Sequence, residues 1–296
     1  MKAKYYLLIV LLFAAIFILQ NNLFKNGETS TFISPLVESF KEIGIAQGPL
    51  ANTVKTSLKG TKGTYGIIIK NLKTGESFAQ NENRVFEPAS LYKLWVIGAS
   101  YQAIEEGKLA EDEVLTRDVK DLNKLFDIDD EVAEATEGAV TSRVDDALER
   151  MIVVSDNYSA LLLASKIRNS YISSFIKSEG FLSSNLGQPP KTTPEDIALF
   201  YEKLYHGEIV NKEASSKILE LLARQELNDR IPKYLPEGTK VAHKTGELGG
   251  FKHDAGIIFA KDPILFVVLS ESTSPLGAAE RIATLSRDVY NYFERK

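Results

Sequence analysis

The chain opens on an apolar run, Tyr5 to Leu19 (YYLLIVLLFAAIFIL), behind Lys2 and Lys4. The run is shorter than the ~20 residues a membrane-spanning helix needs, and Gln20 to Phe24 extend it with asparagines suited to an interface. The basic flank orients the N-terminus toward the cytoplasm, and no small-x-small cleavage pattern follows closely. Residues 1–24 therefore read as a single-pass anchor with the rest of the chain outside the cytoplasm, a removed signal segment being the alternative. The polar stretch 25–48 reads as a tether. Beyond it the periodicity alternates. Leu50 to Leu58 has helical spacing, Thr64 to Asn71 (TYGIIIKN) is β-rich, and Lys73-Thr74-Gly75 turns the chain into a second strand over 76–82. Helical spacing then runs from Ser90 to a capping Gly107 and recurs over 144–153, 158–168, 171–178, 194–205 and 212–224. Strands return at 240–244, 255–260 and 264–270, before an amphipathic helix over 278–295. Strands at both ends and helices between them predict an α+β fold. One antiparallel sheet of about five strands (residues 49–85 and 235–296) is flanked by helices and carries an inserted all-α subdomain (86–234), with a ligand cleft between the two.

Composition narrows the chemistry. The 296 residues carry a net charge of −5, so no basic surface exists to track a phosphate backbone, and nucleic acid is excluded as a partner. The absence of cysteine excludes disulfides and thiolate nucleophiles. The three histidines, His206, His243 and His253, lack metal-binding spacing, so neither a metal nor another cofactor is expected. The acid-rich stretch 111–137 includes DIDDEVAEATEG, which lacks the glycine of a calcium loop and reads as a solvated acidic loop.

Two Ser-x-x-Lys triplets occur, Ser90–Lys93 and Ser174–Lys177, and two Lys-Thr-Gly triplets, at Lys73 and Lys244. Only one of each sits in a setting that chemistry can use. Pro88 disfavours helix at Glu87, so a helix should begin at Ser90, with free N–H groups and the positive helix end around the serine oxygen. Spacing of i+3 places Lys93 on the same helix face, and a lysine lowered in pKa by burial or a neighbouring cation could take the serine proton. Ser174 lies inside a helix and Lys73 in a hairpin turn. Between Ser90 and Lys244 falls the single Ser155-Asp156-Asn157, which could also merely cap the helix near Tyr158.

Ser90-x-x-Lys93, Ser155-Asp156-Asn157 and Lys244-Thr245-Gly246, in this order, resemble the signature of class A β-lactamases and penicillin-binding proteins. The resemblance covers residues 49–296. It implies a β-lactamase/transpeptidase-like fold, Ser90 as the acyl-accepting nucleophile and Lys93 as its base or relay. It further implies Ser155 and Lys244 as the path delivering a proton to the leaving nitrogen, and Asn157 as the holder of the substrate's amide side chain. Lys244 and Thr245 would face the substrate carboxylate, Gly246 would let the substrate backbone approach, and the N–H groups of Ser90 and Glu247 would form the oxyanion hole. Arg230 stands where some members bind the carboxylate, and a surface salt bridge is the competing reading. His243 should point away from the site, and His253 and Asp254 receive no role.

One element departs from the family pattern. Class A enzymes carry Glu-x-x-Leu-Asn in a long loop after Ser-Asp-Asn, and that glutamate activates the deacylating water. Here the only acid between Asn157 and Thr192-Thr193-Pro194 is Glu179, at the end of a helix, and GFLSSNLGQPP is too short for the usual loop. Three readings follow. The first is a monomeric extracytoplasmic serine hydrolase acylated by β-lactams and slow to release them. The second is a D,D-peptidase or transpeptidase acting on acyl-D-alanyl peptides of the cell wall. The third is a β-lactam-binding sensor module.

Overall fold

Nine α-helices and seven strands make up the described part of this computed structural model, residues 48–296. The apolar run Tyr5–Leu19 and nearly all of the tether lie outside the described residues. Among the described residues no helix is long and apolar enough to cross a membrane.

The elements are α1 (Pro49–Ser57), β1 (Thr64–Asn71), β2 (Ser77–Gln80), α2 (Lys93–Glu105), β3 (Val114–Asp118), α3 (Val119–Leu125), β4 (Ala139–Arg143), α4 (Val144–Val153) and α5 (Asn157–Ile167). They continue with α6 (Asn169–Ser178), α7 (Pro194–His206), α8 (Lys212–Leu222), β5 (Lys240–Leu248), β6 (Phe251–Phe259), β7 (Ile264–Glu271) and α9 (Pro275–Glu294). The main sheet is antiparallel with strand order β2-β1-β7-β6-β5, so strands from both chain ends pair at its centre, as the alternation predicts. Local chemistry sets the helix starts. Thr193 caps α7 by accepting from the Asp196 N–H, with Pro194 in its first turn, and Asn211 caps α8 by accepting from the Ala214 N–H.

Both faces of the sheet are covered. Ile67 and Ile69 of β1 join Val54 of α1 and Ile282, Leu285 and Val289 of α9 in one apolar cluster. Ile68, equally buried, must point to the opposite face, because side chains alternate along a strand. Helix α2 is buried nearly all round, from Lys93 to Tyr101, and Trp95 packs its ring 4.6 Å from Phe181 and 5.5 Å from Phe200. A helix apolar on every face belongs inside the molecule, and this one carries its first residue, Lys93, inside with it.

Two expectations change. The insertion is not purely helical: β3 and β4 form a two-stranded antiparallel sheet within it, pairing Val114 with Arg143 and Asp118 with Ala139. Both strands are largely exposed, so they lack the apolar alternation by which a half-buried strand announces itself. Strands β5 and β6 also extend to Leu248 and back from Phe251 around a Gly249-Gly250 turn, with Gly249 at φ +53°. His253 and Asp254 thus lie within β6, opposite Gly246 and Thr245, rather than ahead of a strand that starts at Ala255.

Candidate active site

Ser90 stands in one turn of 3₁₀ helix, Ala89–Tyr92, which runs directly into α2. The helical path starts one residue before the serine and is tighter than an α-turn, because Pro88 restricts Glu87 while itself adopting helical angles (φ −70°, ψ −16°). Residues i and i+3 eclipse in a 3₁₀ turn, which aligns Ser90 and Lys93. Lys93 Nζ lies 3.4 Å from Ser90 Oγ. Ala89 is held at φ +46°, a region costly to any residue with a side chain, directly before the serine.

The other motif residues converge on the same point. Lys93 Nζ donates to Ser155 O at 2.6 Å and to Asn157 Oδ1 at 2.6 Å, and approaches Ser155 Oγ at 3.2 Å. From across the cleft, Lys244 Nζ reaches Ser155 Oγ at 2.9 Å and Thr245 O at 3.1 Å. Ser155 therefore bridges the two lysines, and it does so from a left-handed backbone, φ +61°. Strained residues on both sides of one serine–lysine pair mark a place where surrounding structure enforces geometry. Asp156 caps α5 through the Ser159 N–H at 2.6 Å, so Ser-Asp-Asn is at once a helix cap and part of the site.

Burial of both lysines sets the electrostatics. It draws Lys93 down to about 8, against the opposing pull of Asp156 and Glu134. It holds Lys244 well below the usual lysine range, aided by Lys93 and Arg230 and opposed by Asp254. Two ammonium groups sharing one hydroxyl cannot both stay charged cheaply, so the pair titrates as a unit. Two carbonyl oxygens at 2.6 Å already occupy two N–H bonds of Lys93. A neutral Lys93 thus directs its lone pair toward the serine hydroxyls, ready to take a proton.

Gly246 serves a local purpose in the packing. A Cβ there would fall 2.8 Å from Pro88 O and 3.3 Å from Leu91 Cγ, so the missing side chain is what seats β5 against the Ser90 turn. Thr245 is buried beside it. Arg230 is no surface residue. It is buried, donates to Glu247 Oε2 at 2.8 Å and lies 3.6 Å from Asp229. Lys252 joins the same Glu247 carboxylate. Partial burial of Glu247 works against ionisation, but Lys252 and Arg230 prevail and hold its carboxyl below the usual range. An incoming carboxylate would have to compete with Glu247 for Arg230.

A sequence profile described as the beta-lactamase enzyme family matches residues 49–293. The chain belongs to that family. No curated protein matches it. Among solved structures, a β-lactamase from Sphaerobacter thermophilus DSM 20745 is 25% identical, with TM-score 0.73 over 83% of this chain and 97% of that one. PBP-A superposes with TM-score 0.72 at 22% identity over 83% of this chain and 96% of that one. An ancestral class A β-lactamase of Gram-negative bacteria superposes with TM-score 0.71 at 21% identity over 83% and 100%. At those identities the last two speak for the β-lactamase fold alone.

Several residues of this family member escaped the sequence reading. His243 does point away from the lysines: Nδ1 meets Asp254 Oδ1 at 2.9 Å and Nε2 meets Asn228 Oδ1 at 3.0 Å. Asp254 also accepts from the Ile231 N–H at 2.9 Å and lends its charge to the buried Lys244. His253, pushed down to about 4 by burial, is neutral, donating from Nε2 to Glu87 O at 2.8 Å and accepting from the Ser270 N–H at 3.0 Å. It ties the approach to Ser90 to the sheet. The Gly249-Gly250 pair, a hairpin signal carried by the sequence, fixes the register that puts these residues opposite the Lys-Thr-Gly strand.

Glu179 is engaged elsewhere. It closes α6 and pairs with Lys203 at 2.5 Å. The decoy triplets are likewise accounted for: Ser174 donates to Ser170 O inside α6, and Lys73 pairs with Asp262 on an exposed turn. A carboxylate does reach the site, but from the acidic loop. Glu134 Oε1 accepts from Asn157 Nδ2 at 2.5 Å. No group of His, Asp and Glu able to hold a metal occurs among the described residues.

Proposed function

We propose that the protein is a serine hydrolase of acyl-enzyme type. Ser90 Oγ attacks a β-lactam carbonyl, its proton passes to Lys93, and Ser155 with Lys244 returns a proton to the departing ring nitrogen. The observation that carries this is the convergence of Lys93 Nζ and Lys244 Nζ on Ser155 Oγ beside Ser90. Asn157, Thr245 and the Ser90 and Glu247 N–H groups would then line the substrate. The basic-flanked apolar segment at the N-terminus supports a location outside the cytoplasm for this chemistry. The motif residues supply the groups acylation needs, whereas among the described residues the family's deacylating glutamate has no counterpart: Glu179 is tied to Lys203, and Glu134 meets Asn157 rather than Ser90. The acyl-enzyme is therefore long-lived. One of the similar structures, a mutant of PBP-A, is described as an acyl-enzyme complex with penicillin G.

A pulse of penicillin followed by intact-protein mass spectrometry tests the reading. A Ser90 adduct that persists for many minutes at neutral pH, and is absent in Ser90→Ala, is expected. No adduct refutes the acyl chemistry, and rapid loss of the adduct refutes slow deacylation. Release of D-alanine from an acyl-D-alanyl-D-alanine peptide would favour the peptidase reading, which the shared acyl chemistry keeps alive.

A further inference from the structure

The acidic loop 127–138 reads from its composition as merely solvated, yet its position is determined. The Tyr158 hydroxyl donates to Ala135 O at 2.7 Å and accepts from the Ala135 N–H at 3.2 Å. Asn123 Nδ2 also donates to Ala135 O, at 2.8 Å. The residue beside Ala135 is Glu134, and its carboxylate accepts one N–H of Asn157 Nδ2 at 2.5 Å. The orientation of the Asn157 amide is fixed by chemistry: a carboxylate can only accept, and Lys93 donates to Oδ1 at 2.6 Å, so Nδ2 faces Glu134. Hence one of the two N–H bonds of Asn157 Nδ2, the group a substrate's side-chain carbonyl would use, is already held by a carboxylate.

We propose that Glu134 is a specificity-determining gate: its carboxylate holds one N–H of the Asn157 amide, so substrates bearing an acylamino chain must compete with it for that amide, whereas substrates lacking that chain need not. This rests on Asn157 holding the substrate amide. The gate has a second effect through charge. The groups facing Lys93 are Glu134 from the loop, Asp156 from the turn before α5, Lys244 from β5 and the Tyr92 ring at 5.9 Å. Glu134 is one of the two carboxylates favouring the protonated form of Lys93, so its loss eases formation of the neutral base.

Two variants separate the effects. Glu134→Ala removes both the acceptor and the charge. Glu134→Gln keeps an acceptor oxygen and removes only the charge. The residue is exposed, so neither change threatens folding. The readout is the second-order rate of Ser90 acylation across pH, for benzylpenicillin, which carries an acylamino chain, and for 6-aminopenicillanic acid, which does not. On the high-pH plateau Glu134→Ala should react about tenfold faster with benzylpenicillin, the size of one charge-assisted hydrogen bond at an exposed site, and be unchanged with 6-aminopenicillanic acid. Glu134→Gln, which keeps only a neutral and weaker acceptor, should give a ratio of the two substrates between those of wild type and Glu134→Ala, while its acid limb moves to lower pH. Equal plateau rates for wild type and Glu134→Ala with benzylpenicillin, or an equal gain with both substrates, overturn the gate. An unlabelled wild type instead refutes the acyl-enzyme reading, so the two failures are distinguishable.

Discussion

Removing the charge of Lys244 while sparing its neighbours tests how the site makes a base. Lys93 and Lys244 contact the same Ser155 Oγ at 3.2 and 2.9 Å, which puts their nitrogens no more than about 6 Å apart. At an effective dielectric of about 20, two unit charges at that separation repel by about 3 kcal/mol, equivalent to about two pH units in the titration of Lys93. If Lys244 carries the shared proton, Lys244→Gln removes that repulsion and Lys93 holds its own proton more firmly. Acylation needs neutral Lys93, which burial brings to about 8, so the acid limb of the acylation rate should move up by one to two pH units and the rate at pH 7 should fall about 10–100-fold. Lys244→Arg, which keeps a cation, should leave the limb within about half a pH unit of wild type. The assay is rapid-quench labelling of Ser90 with a fluorescent penicillin from pH 5 to 9.5, with a melting curve on each variant to exclude unfolding. A limb that stays in place in Lys244→Gln, together with one that falls in Lys244→Arg, would show that Lys244 is neutral in the resting site, and the assignment of the charge would be wrong.

Two further changes probe the scaffold. Gly246→Ala sets a methyl 2.8 Å from Pro88 O and 3.2 Å from His253, so it should lower stability by about 1–3 kcal/mol and slow acylation at least tenfold as the Ser90 turn is pushed from β5; unchanged melting and labelling would contradict this. Asp196 is raised by burial to about 6 while it accepts from the Ser183 N–H and Ser184 Oγ. A raised folded value means its protonated form favours folding below the ordinary aspartate range, a contribution lost as pH rises through about 6. The unfolding free energy of wild type relative to Asp196→Asn should therefore fall by up to about 3 kcal/mol between pH 4 and pH 7, and a pH-independent difference between the two would refute it.

The pairing of Ser90 with Lys93 and the settings of the two partner motifs were legible in the sequence because each is set by local rules. Proline fixes the entry to the Ser90 turn, helical spacing aligns Lys93, and Asp156 starts α5 with a side-chain cap. The sheet was equally legible, since Ile67 to Ile69 and the apolar strands near the C-terminus can be buried only between layers. What the chain could not declare was which separated residues meet. The β3–β4 pair stayed hidden because exposed strands carry no apolar alternation. Arg230 read as well as a surface salt-bridging residue as a carboxylate binder, and only the structure buries it beside Glu247 and Lys252. His253 and Asp254 gained their places opposite Gly246 and Thr245 only through the register of the β5–β6 hairpin. The family pattern seeks a carboxylate downstream of Asn157, whereas Glu134 comes from upstream, carried in by a loop that Tyr158 and Asn123 hold. Sequence by itself determined the elements and the chemistry each could offer, because backbone propensity and helix caps act over a few residues. Only the tertiary structure decided which charges share Ser155 and which carboxylate holds Asn157, because those energies depend on burial and on distances between segments far apart in the chain.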